Sequence, residues 1–137
     1  MQEYVAGFLF WGNDVWLIHK NKPDWQVGRM NGIGGKIEFG ETPLEAMIRE
    51  FKEEAGVEIH LWNHYCTITD EKDWKVYFYY AHSGAELKTM TDEKVVRCDA
   101  KNLPPEILPN LAWLIPMAMS FGVGEFAKDF YVKYNYE

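Results

Sequence analysis

The sequence predicts a mixed α/β fold, an α/β/α sandwich in which helices cover both faces of a mixed β-sheet. Several segments are apolar at both odd and even positions, as in strands that are buried on two faces. Helical segments that could cover such a sheet occur at two places in the chain. A length of 137 residues and a 47% hydrophobic composition suit one domain spanning residues 1–137.

The composition also bears on partners and location. A formal charge of −7 argues against binding a nucleic acid polymer, which would require clustered Lys and Arg. No apolar run approaches the roughly 18 residues that cross a bilayer, and residues 1–10 carry Glu3 in place of a basic region. We therefore expect no targeting segment and no membrane partner. Cys66 and Cys98 match no CxxC spacing, which favours two reduced thiols in a cytoplasmic protein.

The first part of the chain reads as a hairpin followed by a loop. Residues 4–11 are apolar at both parities, residues 12–14 supply turn chemistry, and residues 15–18 form a second apolar run. Residues 21–28 lack periodicity and predict a loop, which leads into the glycine-rich stretch at 31–35.

After the central helix, residues 57–69 and 74–82 are rich in β-branched and aromatic residues. They predict a second strand pair, connected by the polar residues 70–73. Residues 83–92 are expected to form a loop and residues 93–98 a short strand.

The last part of the chain holds a loop, a helix and a strand. Residues 102–110 are a proline-punctuated loop, and a second helix surrounds residues 113–120. Because Pro116 cannot donate a backbone hydrogen bond, that helix is expected either to start near it or to kink there. Residues 126–134 predict a final strand.

The best-specified element is a helix from Pro43 to Ala55. Thr42 is a capping residue, Pro43 suits the first helical position, and Glu45 completes a capping box. Gly56 suits the left-handed conformation that ends a helix. The expected apolar stripe against the sheet consists of Leu44, Met47, Ile48, Phe51 and Ala55.

Three carboxylates, Glu50, Glu53 and Glu54, share another side of this helix, because their spacing is i, i+3 and i+4. One interpretation is a solvated acidic face, which is the usual fate of a charge run. The other is a metal site, since the loop at residues 34–40 would bring Glu38 and backbone carbonyls to the same face. Carboxylate and carbonyl oxygens are the ligands that Mg²⁺ and Mn²⁺ prefer.

The stretch from Gly35 to Val57 resembles the Nudix box, GX5EX7REUXEEXGU with U a bulky apolar residue, and every fixed position matches. The residues that carry the resemblance are Gly35, Glu41, Arg49, Glu50, Phe51, Glu53, Glu54, Gly56 and Val57. The resemblance implies a Nudix hydrolase with a Nudix-type sandwich fold.

The resemblance also implies roles for these residues. Glu50, Glu53 and Glu54 would bind Mg²⁺ or Mn²⁺, with the backbone carbonyl of Gly34 as a further ligand. Arg49 would hold the carboxylates by charge-assisted hydrogen bonds. Glu41 would support the geometry of the loop and helix.

The resemblance further implies that an acidic residue from a downstream loop acts as a further metal ligand or as the base. Glu93 is the candidate, with Asp92 and Glu71 behind it, and the alternative for Glu93 is a solvent-facing loop residue. Deprotonation of the attacking water is open between Glu50, Glu53 and Glu93.

Two further segments resemble the base pocket of nucleotide-sanitising Nudix enzymes. They place Asn31 and Asn110 against the base, and an amide can pair with a purine edge through two hydrogen bonds. Lys20 is the candidate phosphate contact, with a solvated surface lysine as the alternative.

The leading functional hypothesis is hydrolysis of a nucleoside triphosphate to a nucleoside monophosphate and pyrophosphate, with an oxidised purine deoxynucleotide as one candidate substrate. A second hypothesis is hydrolysis of ADP-ribose, a nucleotide sugar or a dinucleoside polyphosphate. A third is a catalytically silent nucleotide-binding module. In each case the partner is a small nucleotide, and the protein is a monomer or a homodimer.

Overall fold

The computed structural model describes residues 1–122 and 129–136. The strands are β1 (Gln2–Trp11), β2 (Asp14–His19), β3 (Met30–Asn31), β4 (Ile33–Lys36), β5 (Asn63–Thr69), β6 (Trp74–His82), β7 (Val95–Asp99) and β8 (Phe130–Lys133). The helices are α1 (Pro43–Ala55) and α2 (Leu111–Met119), with one 3₁₀ turn at Asp24–Gln26. None of the helices in these residues is long and apolar enough to span a membrane.

The strands form one mixed sheet whose main order is β3-β2-β1-β6-β5-β8. β1 pairs with β6 in parallel along one side, and antiparallel with β2 and β4 along the other. β7 pairs with β2, and β8 runs parallel to β5. The predicted mixed α/β fold is therefore confirmed.

β1 is buried on both faces, as its apolar pattern predicts. Phe8 and Phe10 point to a core that includes Leu114 and other α2 residues. Val5 and Leu9 point to the opposite core, which is closed by α1. Each helix thus covers one face of the sheet, as in the expected sandwich.

Some element boundaries differ from the sequence prediction. The strand expected over residues 57–69 begins only at Asn63. Before it, Val57, Ile59 and Trp62 pack into the α1 core without a paired strand. The strand expected at 93–98 is Val95–Asp99, and the loop at 21–28 includes the 3₁₀ turn. The final strand begins at Phe130 in the described part of the chain, and residues 126–128 of that prediction lie outside it.

α2 begins at Leu111, so of the two alternatives for Pro116, a helix start and a kink, the helix start is wrong. The N–H of Leu114 donates to the carbonyl of Asn110 at 3.0 Å, which closes the first turn well before the proline. Pro116 lies inside the helix, where it removes one backbone donor.

Candidate active site

α1 has the predicted ends. The Thr42 hydroxyl accepts the N–H of Glu45 at 3.1 Å, and the Glu45 carboxylate accepts the N–H of Thr42 at 2.9 Å. Gly56 follows the last turn with a φ of 77°, a left-handed conformation that glycine adopts without strain. These local contacts fix the helix register before any tertiary contact is considered.

The buried side of α1 differs from the predicted stripe at its first turn. Met47, Phe51 and Ala55 are fully buried against the sheet, as expected. Leu44 is 40% exposed, and its inclusion in the stripe was wrong, whereas Ala46 is fully buried. The first turn leaves Leu44 outside the core, and the small Ala46 side chain takes the inner position instead.

Arg49 ties α1 to the loop that precedes it. Its Nε and Nη2 atoms donate to the two carboxylate oxygens of Glu41 at 2.6 and 2.9 Å, a bidentate pair. Nη2 also donates to the carbonyl of Lys36 at 3.0 Å. Hydrogen bonding to Arg49 lowers the pKa of Glu41, so this carboxylate stays charged. The predicted supporting role of Glu41 thus corresponds to a specific clamp.

The third nitrogen of the same guanidinium faces the predicted metal ligands. Arg49 Nη1 lies 2.9 Å from a Glu50 oxygen and 3.2 Å from a Glu53 oxygen. Glu38 lies 3.6 Å from the same nitrogen. The guanidinium therefore offsets the repulsion between carboxylates that the helix holds on one side.

The two glycines of β4 allow close approach on different sides, Gly35 to an α1 carboxylate and Gly34 to the backbone of β1. A Cβ atom on Gly35 would come within 2.6 Å of the Glu50 carboxylate. A Cβ atom on Gly34 would overlap the carbonyl oxygen of Val5 on β1. The Gly34 N–H donates to a Glu54 oxygen at 3.2 Å, which places Gly34 and Glu54 in contact.

The cluster of carboxylates on α1 is buried at its inner end, where Glu50 and Glu54 lie. Burial, together with the nearby Glu50 carboxylate, raises the pKa of Glu54 to about 8. Burial also raises the pKa of Glu50. Partly desolvated carboxylates at close quarters are unfavourable as free anions, so the arrangement favours a positive partner.

Lys20 and Glu93 supply charge close to Glu54, from two loops far apart in sequence. Lys20 Nζ lies 3.0 Å from one Glu93 oxygen, and the Asn21 N–H donates to the other at 2.7 Å. The side chains are only 15% and 5% exposed, so the alternatives of a solvated lysine and a solvent-facing glutamate are wrong.

Burial alone would raise the pKa of Glu93. The Asn21 N–H and Lys20 outweigh that effect, and the net shift of the pKa is downward. The contribution of Asn21 could not be read from the sequence, because its contact is made by the backbone.

The other two acidic candidates lie elsewhere. Asp92 is exposed, and Glu71 lies in the turn between β5 and β6, where it faces Lys133 at 3.8 Å.

Asn31 and Asn110 come from neighbouring segments. The carbonyl of Met30, next to Asn31, accepts the N–H of Leu108 at 2.9 Å, so the segment before α2 runs beside β3. Asn31 donates to Gln26 at 3.2 Å and accepts the Gly32 N–H at 2.8 Å. The side-chain oxygen of Asn110 is buried and has no hydrogen-bond partner among the described residues.

The residues present suit a hard divalent cation by their chemistry, because carboxylate and carbonyl oxygens are its preferred ligands. Glu50 and Glu54 also fit a cation, because a positive partner would stabilise the charged forms that burial disfavours. As they stand, no three acidic, histidine or cysteine side chains in residues 1–122 and 129–136 converge on one point as metal ligands do. Arg49 Nη1 bridges Glu50 and Glu53 instead.

Comparison with known proteins gives both local and whole-chain matches. The 8-oxo-dGTP diphosphatase of Escherichia coli is 36% identical over 45 residues, which is 33% of this chain and 35% of that protein. The chain thus aligns with about a third of that relative's length.

Two solved structures share the fold. A MutT NUDIX hydrolase from Burkholderia pseudomallei has a TM-score of 0.73 at 19% identity, covering 84% of this chain and 95% of the other. An ADP-ribose pyrophosphatase from Streptococcus suis has a TM-score of 0.70 at 17% identity, covering 94% and 98%. The sequence model of the NUDIX domain matches residues 1–117, and the chain belongs to the Nudix family.

Proposed function

We propose that this protein is a metal-dependent pyrophosphohydrolase that converts a nucleoside triphosphate and water to a nucleoside monophosphate and pyrophosphate. The observation that carries the proposal is the carboxylate group on α1, with Arg49 bridging Glu50 and Glu53 and with Glu54 buried near Lys20. The burial of Glu54 argues against a purely solvated acidic surface.

In this proposal Glu50, Glu53, Glu54 and the carbonyl of Gly34 hold Mg²⁺ or Mn²⁺. The ion, when bound, neutralises phosphate charge and lowers the pKa of the attacking water. The Arg49–Glu41 pair holds α1 against the preceding loop, so the carboxylates keep a fixed arrangement relative to the bound phosphates. In this proposal either Glu50 or Glu53 takes the proton from water.

Lys20 would contact a phosphate oxygen.

That Glu93 serves as a metal ligand or as the base stays a prediction. The contacts of Glu93 favour a different role. Both of its oxygens already accept hydrogen bonds, one from Lys20 and one from the Asn21 N–H. We therefore propose that Glu93 positions Lys20 beside Glu54 instead of acting on the water itself.

The base would lie between Asn31 and Asn110. The buried, unpaired oxygen of Asn110 is an acceptor that a purine N–H could satisfy, and buried acceptors rarely remain unpaired. The similarity to a protein named 8-oxo-dGTP diphosphatase supports an oxidised purine deoxynucleotide as one candidate substrate.

The test is a turnover screen over normal and oxidised NTPs and dNTPs with Mg²⁺, Mn²⁺ or a chelator. We expect equal amounts of monophosphate and pyrophosphate from at least one nucleotide, and none with the chelator. Absence of both products for every nucleotide would refute the proposal. Tight nucleotide binding by calorimetry in that case would indicate a silent binding module.

The second candidate is hydrolysis of ADP-ribose, a nucleotide sugar or a dinucleoside polyphosphate on the same helix. The fold similarity to an ADP-ribose pyrophosphatase from Streptococcus suis favours including it. ADP-ribose would yield AMP and ribose 5-phosphate, so product identification separates the two. A cytoplasmic location, a small nucleotide as partner and the absence of nucleic acid and membrane partners stay predictions.

A further inference from the structure

β8 is the last strand in the sheet order, so its outer side forms one edge of the sheet. In the part of the chain that the structure describes, β8 pairs only with β5. A strand at a sheet edge presents unpaired backbone N–H and C=O groups that can template pairing with another strand. The exposed side chains Phe130 and Tyr131 lie on this edge strand.

The direction of these backbone groups follows from one hydrogen bond. The N–H of Tyr134 donates to the carbonyl of Thr69 at 2.8 Å, so even-numbered residues here face β5. Because the direction alternates along a strand, the N–H and C=O groups of Asp129, Tyr131 and Lys133 point away from the sheet. Among residues 1–122 and 129–136 no strand covers this outer edge, which has one acidic and one basic residue at its two ends.

We propose that β8 pairs antiparallel with β8 of a second copy, in the register that sets Tyr131 opposite Tyr131. In that register Asp129 lies opposite Lys133 of the second copy, and the same pair recurs on the other side of the two-fold axis. All three facing positions are ones whose backbone groups point outward, so they form hydrogen-bonded pairs. The result is a homodimer with one continuous sheet.

Charge complementarity selects a second copy as the occupant. Each chain carries a formal charge of −7, which opposes self-association in general. The segment from Asp129 to Lys133 is neutral overall. When two copies of it pair antiparallel, Asp129 of each copy lies opposite Lys133 of the other. At present Asp129 lies 3.2 Å from His64, and Lys133 lies 3.8 Å from Glu71, with the Asp129 and Lys133 side chains 76% and 55% exposed. Both are accessible to a second strand.

The test is sedimentation over roughly 1 µM to 1 mM protein, a span that resolves weak association. We expect a concentration-dependent dimer. Asp129→Lys and Lys133→Asp should each raise the dimer dissociation constant at least tenfold, roughly the scale of a lost pair of cross-strand contacts. The double variant Asp129→Lys/Lys133→Asp should restore dimerisation.

Lys101→Asp is the matched control, since it makes the same charge change at an exposed position away from β8. Circular dichroism checks that each variant is folded. The double variant lacks the contact between Asp129 and His64 as well, so its recovery can come only from the exchanged charges. A wild-type monomer at every concentration overturns the proposal, and so do single variants that dimerise like the wild type.

Discussion

The two halves of the candidate site are built in different ways. The Arg49 clamp, Glu41, the α1 carboxylates and the β4 glycines all come from one stretch of the chain. The pair of Lys20 and Glu93 joins loops that are 73 residues apart. The segments that hold Asn31 and Asn110 likewise run side by side only in the folded chain. The first half should supply the chemistry common to many substrates, and the second half should orient one particular substrate.

Loss of an α1 carboxylate is expected to have the largest effect. Glu53→Gln or Glu54→Gln should lower kcat by at least roughly a hundredfold, the scale of losing preorganised charge stabilisation. Fold stability should change little, because these side chains pack no core. Steady-state kinetics and thermal denaturation measure the two effects.

Glu58→Gln is the matched control for these variants, because Glu58 is an exposed acid just beyond α1. It should leave kcat unchanged. Full activity in both Glu53→Gln and Glu54→Gln would remove these carboxylates from the chemistry.

Gly35→Ala tests whether the strand backbone must approach Glu50 closely. The new Cβ would lie within 2.6 Å of the Glu50 carboxylate and displace it, so kcat should fall about tenfold, a cost of roughly 1.4 kcal/mol. The same change in a Glu50→Ala background should cost little more. Additive losses in the double variant would show that Gly35 acts by another route.

Glu93→Gln distinguishes positioning from proton transfer. A glutamine would turn an amide N–H₂ or a neutral oxygen towards Lys20, and the lysine would lose its anchor. We expect KM to rise about tenfold with kcat nearly unchanged, the signature of lost ground-state binding. Lys20→Met should add nothing in the Glu93→Gln background.

Asp92→Asn is the control for Glu93, since it neutralises the adjacent exposed acid. A fall in kcat of a hundredfold in Glu93→Gln with unchanged KM would instead assign Glu93 as the base.

Asn110→Ala should have the smallest effect on turnover. It removes a buried oxygen that has no partner among the described residues, and leaving such a group unpaired costs about 1–3 kcal/mol. We expect Tm to be unchanged or slightly higher while KM for a purine nucleotide rises. A large drop in Tm would identify Asn110 as a structural residue.

The same division explains what could be predicted from the sequence. Both ends of α1 were correct because Thr42, Glu45 and Gly56 act within one turn of their own backbone. The exposure of Leu44 and the start of α2 depend on how each helix meets the sheet, which no local pattern encodes. The sequence offered Lys20 and Glu93 as separate candidates, and only the fold shows that they touch.

The central claim is that the α1 carboxylates hold a divalent cation, and Mn²⁺ binding measured by electron paramagnetic resonance tests it without any substrate. We predict saturable binding to the wild type, at least roughly tenfold weaker binding to Glu54→Gln, and unchanged binding to Glu58→Gln. Wild-type protein that binds no Mn²⁺, or a Glu54→Gln variant that binds it equally well, would contradict the account.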